Sequence, residues 1–228
     1  MDRRRFNSLC TGLIAGAVSA HTNVLASTTP YPKSQLVYAD GSAVTLSSLA
    51  VGESFIFSYP YVTTPCFLVR LPQAAPAKGA WTGGLDTDKT VVAFSAICSH
   101  KMSHPAKPIS YISYRPNPVT FYDSTGQKQT REGIISCCSE RSVYDPGNAA
   151  TVLSGPAPAP LAAIALESDA DGNVFAVGSV GADQYERFLN KFGFRLAMEY
   201  GVTDVRARSK DQVEITLATE FSHQQVLC

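Results

Sequence analysis

"TVVAFSAICSH", residues 90–100, decides the fold. It is a short run rich in Val, Phe and Ile that reads as a β-strand, and it ends on Cys98 and His100, two positions apart. Eight more runs have the same character: "SQLVYA" (34–39), "ESFIFSYP" (53–60), "PCFLVRL" (65–71), "PISYISYR" (108–115), "PVTFYD" (118–123), "GIISCC" (133–138), "PLAAIALES" (160–168) and "NVFAVGSVG" (173–181). Clusters of Gly, Pro, Asp and Asn separate them, and Asp171-Gly172 and Thr125-Gly126 mark hairpin turns. Many short strands with turns at this spacing predict an all-β, antiparallel sandwich or barrel. The clearest helix is 183–191, "DQYERFLNK", which sets Tyr185, Phe188, Leu189 and the following Phe192 on one face for packing against the sheets. Residues 181–228 form a C-terminal extension with that short helix and one further strand, 212–217.

Composition narrows the function. The 228 residues are 45% hydrophobic and 17% charged, enough apolar side chain for a sizeable core and too little charge for a disordered chain. Lys and Arg number 19 against 19 Asp and Glu, with no basic run beyond the N-terminus, which excludes a nucleic-acid partner. That N-terminus, residues 1–27, carries Arg3, Arg4, Arg5 and Phe6, then a Gly- and Ala-rich apolar stretch, then small residues suited to cleavage at Ala20 or Ala26. It reads as an export signal of the twin-arginine type, which addresses the protein to the periplasm, or tethers it to the membrane if left uncleaved. Losing Asp2 and three Arg leaves the remainder slightly acidic.

Chemistry gathers in two loops. The first, 98–105, holds Cys98, His100 and His104; the second, 137–146 in "IISCCSERSVYDP", follows a strand with Cys137 and Cys138. Thiolate and imidazole at two strand ends suit one metal centre. A vicinal disulfide between Cys137 and Cys138 is a competing use of the same thiols. Cys66 reads as a small buried apolar residue, Cys10 lies in the export segment, and Cys228 is free to pair with another thiol in an oxidising compartment.

With these motifs the chain resembles the Rieske-type iron–sulfur proteins, and within them the small subunits of arsenite oxidases. The likeness runs over roughly residues 45–180 through "FSYPYVTTPCFLVRL", "TVVAFSAICSH", "IISCCSERSVYDP" and "GPAPAPLAAIAL". It implies a Rieske-type sandwich over residues 28–180, with a small cluster-binding subdomain and a Pro-rich covering loop, 155–160, beginning at Gly155 and Pro156. It also implies a [2Fe–2S] cluster with two Cys on one iron and two His on the other. By that pattern Cys98 and His100 are ligands in the first loop and Cys137 in the second, while Ser142 and Tyr144 fall on positions that hydrogen-bond sulfur. The second histidine is replaced by Glu140, and the positions of a direct loop-to-loop disulfide hold Ser103 and Ser139.

Three readings follow. In one, the cluster is held by Cys98, His100, Cys137 and either Cys138 or Glu140. In another, zinc is held by Cys98, His100 or His104, and Cys137 or Cys138. In the third, the fold persists without a metal as a binding or structural subunit. The resemblance implies an electron-transfer subunit without substrate chemistry of its own, partnered by a molybdenum oxidase subunit, a cytochrome c or a quinol-oxidising membrane complex. The long insert, 101–133, predicts two extra strands. Its Tyr111, Tyr114, Phe121 and Tyr122 either pack on the sheets or form a docking face, and His104 reads as an exposed loop residue.

Overall fold

The computed structural model describes residues 27–228, so the export segment lies outside the described residues but for its last position. In chain order the strands are β1 (Thr28–Val37), β2 (Ser54–Ser58), β3 (Pro65–Arg70), β4 (Val91–Ser95), β5 (Ile112–Arg115), β6 (Val119–Tyr122) and β7 (Lys128–Arg131). Then come β8 (Ile134–Cys137), β9 (Ser142–Asp145), β10 (Thr151–Ser154), β11 (Ala163–Ser168), β12 (Val174–Val180), α1 (Asp183–Tyr200), β13 (Gln212–Glu214), β14 (Thr216–Leu217) and α2 (Ala218–Phe221). The chain is mostly β, as its strand-length apolar runs predict.

Eight strands form one sheet in the order β13-β1-β12-β11-β4-β3-β2-β14. Pairing is antiparallel throughout except β1 with β13. The strands β2, β3 and β4 are apolar at nearly every position because both of their faces are covered. Phe55, Phe57, Cys66, Leu68, Val91 and Ala93 enter one core, whereas Ile56, Phe67, Val69, Val92 and Phe94 enter a second. Period-two alternation makes this division. Continued past the strand end through Ala96, it carries Cys98 into the second core, the side on which the smaller sheet packs.

The expected strand 212–217 is one run that does two jobs. Glu214 pairs with Val37 at one edge of the sheet and Thr216 with Ile56 at the other, with only buried Ile215 between them. Residues 212–217 thereby join the two edges and leave neither bare. The helix α1 starts where the sequence predicts but runs nine residues beyond Lys191, to Tyr200. Leu196 repeats the buried stripe of Tyr185, Phe188 and Leu189, and Gly201 ends the helix in the left-handed region at φ 63°.

The smaller sheet has the order β10-β9-β8-β5. Ile112 faces Cys137, which in turn faces Ser142, and Ile135 faces Tyr144. Beside it stands the β6–β7 hairpin, the pair of extra strands predicted for the insert, turning at Asp123 to Gly126. The insert's aromatics divide: Tyr114 is buried, Phe121 packs beside the small cluster of Val119, Ile134 and Val143, and Tyr111 and Tyr122 face solvent. Among the described residues no helix is long and apolar enough to cross a membrane.

Candidate functional site

The first loop is folded by its own backbone. Cys98 N–H donates to the Ser103 carbonyl at 2.9 Å and Met102 N–H to the Cys98 carbonyl at 2.9 Å, closing a turn that leaves the Cys98 side chain inside. The second loop is the connection between β8 and β9, reversing through Arg141 at φ 58°. These two turns set the buried thiols of Cys98 and Cys137 close enough to share a proton's influence. The Cys98 thiol is drawn down to about 6, first by the hydrogen bond from Cys137, against the cost of burial, and further by the Tyr144 hydroxyl and the N–H groups of His100 and Lys101. Cys137, the donor of that pair, is pushed up by the hydrogen bond and by burial, while the N–H groups of Ser139 and Glu140 aim at its sulfur. Each sulfur therefore sits in a nest of backbone donors from its own loop.

Tyr144 clamps the first loop from beneath. Its hydroxyl lies 3.2 Å from Cys98 Sγ and accepts the Ser99 N–H at 3.2 Å. Burial, with Cys98 beside it, raises the Tyr144 phenol well above its ordinary range, so it stays a donor. Ser99 Oγ donates to the Ala159 carbonyl at 2.6 Å, tying the Pro-rich loop to the first loop. Gly155 presses that loop against the second. At φ 86°, a Cβ there would meet the Arg141 carbonyl and stand 2.6 Å from Ser142 Cα. Pro156, next to it, is exposed. Ser142 itself is fully buried, and its Oγ has no partner within the protein.

At the outer end of the thiol pair stand His100 and Glu140, with side chains 26% and 32% exposed. Glu140 Oε2 approaches His100 Nδ1 to 3.1 Å but off the line of a hydrogen bond. Lys101 Nζ grips the other carboxylate oxygen. The Lys101 hydrogen bond, with smaller contributions from the Lys101 charge and from His100, holds the Glu140 carboxyl below its ordinary range against the cost of desolvation.

No family model matches the chain. Iodate reductase subunit IdrB of Pseudomonas sp. (strain SCT) is 31% identical over 144 residues, which cover 63% of this chain and 62% of that protein. Over those residues the chain resembles that subunit, in keeping with the Rieske-type likeness of its two loop motifs. The soluble domain of the Rieske protein II (soxF) from Sulfolobus acidocaldarius aligns at a TM-score of 0.44 with 25% identity, over 65% of this chain and 78% of that one. The match to IdrB thus spans less than two thirds of that relative's length.

Of the donors read from the sequence, the site gathers Cys98, Cys137, His100 and Glu140 and leaves two aside. Cys138 is bonded to Cys228, 90 residues on, with the Cα atoms 5.6 Å apart. That corrects both its candidacy as a ligand and the vicinal disulfide. Adjacent residues of a strand point to opposite faces, so when Cys137 turns inward Cys138 turns out. His104 is the second correction, since it is buried rather than exposed. Its ring meets Phe188 edge-on at 4.8 Å and Phe192 at 5.8 Å. Among the described residues no three Cys, His, Asp or Glu side chains converge on one point. Two pairs, thiols inside and His with Glu outside, fit a group with two metal ends. The unpartnered Ser142 hydroxyl and the N–H nests fit one that carries acceptor sulfur. Sequence reading missed Lys101 and Ser99, whose roles rest on contacts with residues 39 and 60 positions away.

Proposed function

We propose that this Rieske-like chain is the electron-transfer subunit of a larger oxidoreductase, with a [2Fe–2S] cluster held by Cys98 and Cys137 at one end and His100 and Glu140 at the other. The observation that carries this is the paired arrangement: two buried thiols in contact, each within a nest of backbone donors, and a His–Glu pair at the rim. When bound, such a cluster supplies a one-electron couple.

The chain's residues supply the setting. Tyr144 orients Cys98, Ser142 offers a hydroxyl that no protein atom accepts, and Ile112, Ile135 and Leu161 exclude water from the inner side. His100 and Glu140 lie where a partner can approach. A carboxylate in place of a neutral imidazole adds negative charge at that end, which favours the oxidised state and sets the couple below that of a two-histidine site. The name of the IdrB relative supports a reductase complex as the setting. The partner class is a redox protein: a molybdenum oxidase subunit, a cytochrome c or a quinol-oxidising membrane complex. The twin-arginine pattern supports export to the periplasm.

One observation favours a second reading, a cluster-free scaffold: Lys101 already satisfies Glu140 without any metal. Iron analysis, visible absorption and low-temperature EPR of the dithionite-reduced full chain separate the two. The electron-transfer reading expects two irons per chain and a rhombic EPR signal lost in Cys137→Ala. A colourless, iron-free, EPR-silent protein sinks it.

A further inference from the structure

The two loops share no direct covalent tie, because Ser103 and Ser139 carry no thiol. Residues 222–228 run between them instead. At its start this segment is anchored to the large sheet through β14 and α2, whose Ala218 is buried. Ser222 Oγ, itself buried, donates to the Ala106 carbonyl at 2.7 Å. The His223 N–H donates to the Lys107 carbonyl at 2.8 Å. Ser110 N–H then donates to the Gln224 carbonyl and Val226 N–H to the Ser110 carbonyl, each at 2.8 Å, a parallel bridge onto the chain leaving the first loop. The segment ends in the Cys228 bond to Cys138, one residue beyond Cys137. Cys138 N–H returns to the same neighbourhood by donating to the Tyr111 carbonyl at 2.6 Å.

We propose that residues 222–228 are a strap that sets the second loop against the first, with Cys138–Cys228 as its redox-releasable latch. The inference rests on reading the two loops as halves of one site, but the mechanical coupling it asserts needs no metal. Cys228 is exposed and Cys138 half-exposed, so a small dithiol can reach the bond. Two electrons and two protons pass from the dithiol, which leaves as its own cyclic disulfide. The Cys138 and Cys228 sulfurs become thiols and the S–S bond breaks. Once released, the second loop keeps its β8 and β9 pairing, the Tyr111 contact, the packing of Gly155 on Arg141 and the Lys101 grip on Glu140, but the strap's bridge to Ser110 loses its far anchor.

The test is amide hydrogen exchange by mass spectrometry on the full chain in three states: untreated, reduced with dithiothreitol, and as the Cys138→Ser and Cys228→Ser variants. Alkylation mapping confirms which thiols have opened. The strap predicts exchange faster by roughly tenfold in both peptides 104–112 and 134–146, with β2, β3 and β4 unchanged. Faster exchange confined to residues 222–228, or in no segment, overturns it. Faster exchange throughout the large sheet overturns it too, by making the disulfide a general staple. Failure to find iron leaves this readout intact, so the strap and the electron-transfer reading fail separately.

Discussion

The two loops face one another across a pair of thiols, yet they are held in different ways. The first, around Cys98, is shaped from within and below: two backbone hydrogen bonds close it, Tyr144 and Ala159 grip Ser99, and His104 wedges its far end against α1. The second, around Cys137, is a tight strand connection that takes its support from outside, through the disulfide to Cys228 and the pressure of Gly155 on Arg141. A loop that carries its own hydrogen bonds tolerates the loss of any one of them. A loop held mainly by a few external contacts depends on each.

The largest test of the comparison removes the element the loops share. Cys98→Ala and Cys137→Ala, one from each loop, should each abolish iron retention in the proposed cluster protein, read as iron per chain. Retention in either variant would show that the pair is not the inner half of a ligand set.

Next is the external support of the second loop. Replacing Cys138 and Cys228 together by Ala should cost about 2–5 kcal/mol by urea unfolding, because the bond closes a long loop of unfolded chain. Gly155→Ala should cost about 1–3 kcal/mol by the same measurement, since the left-handed backbone and the Arg141 carbonyl both oppose a Cβ.

Single deletions on the first loop should cost less. Tyr144→Phe removes one hydroxyl shared by Cys98 and Ser99 and should cost about 1 kcal/mol. In a loaded protein it should also lower the one-electron midpoint by roughly 40 mV in protein-film voltammetry, the same energy expressed as a potential. A cost equal to that of Gly155→Ala would erase the distinction between the loops.

The smallest effect is the pH dependence of the His104 wedge. Its Nδ1–H donates to the Met102 carbonyl at 2.9 Å, and its buried Nε2 has no partner. Burial holds the imidazole below its ordinary 6.5; the Met102 hydrogen bond opposes this, and the charge of Arg195 adds to it. With the folded value depressed, the unfolded chain takes up the proton first. The neutral ring's contribution is therefore complete above pH 6.5 and is lost as pH falls through the lower folded value. The thermal midpoint of the native protein should fall faster between pH 7 and 5 than that of His104→Leu. Parallel curves would show that the wedge does not titrate.

These contrasts also mark how far the sequence could be read. All nine apolar runs became strands, because Val, Ile and Phe at strand length leave few alternatives. Two other strands are not legible in the sequence: β9 and β10 are four residues each, too short to show a period, while the charged β7 is foreseen only as the second strand of the insert's hairpin. The helix continued past Lys191 because Leu196 completes a buried stripe only once the first core exists to receive it.

Within the site, the sequence by itself determined the donor types, the strand-end position of Cys98 and His100, and the Glu140 that stands where the resemblance calls for histidine. Only the tertiary structure decided which of two adjacent cysteines turns inward, that the outward one pairs with Cys228, that His104 is buried against Phe188, and that Glu140 meets both His100 and Lys101. The reason is the range of the forces involved. Strand formation and side-chain chemistry are local and written in neighbouring residues. The face a strand end presents, and the partner a thiol finds 90 residues away, depend on registers set by cores that no local stretch contains.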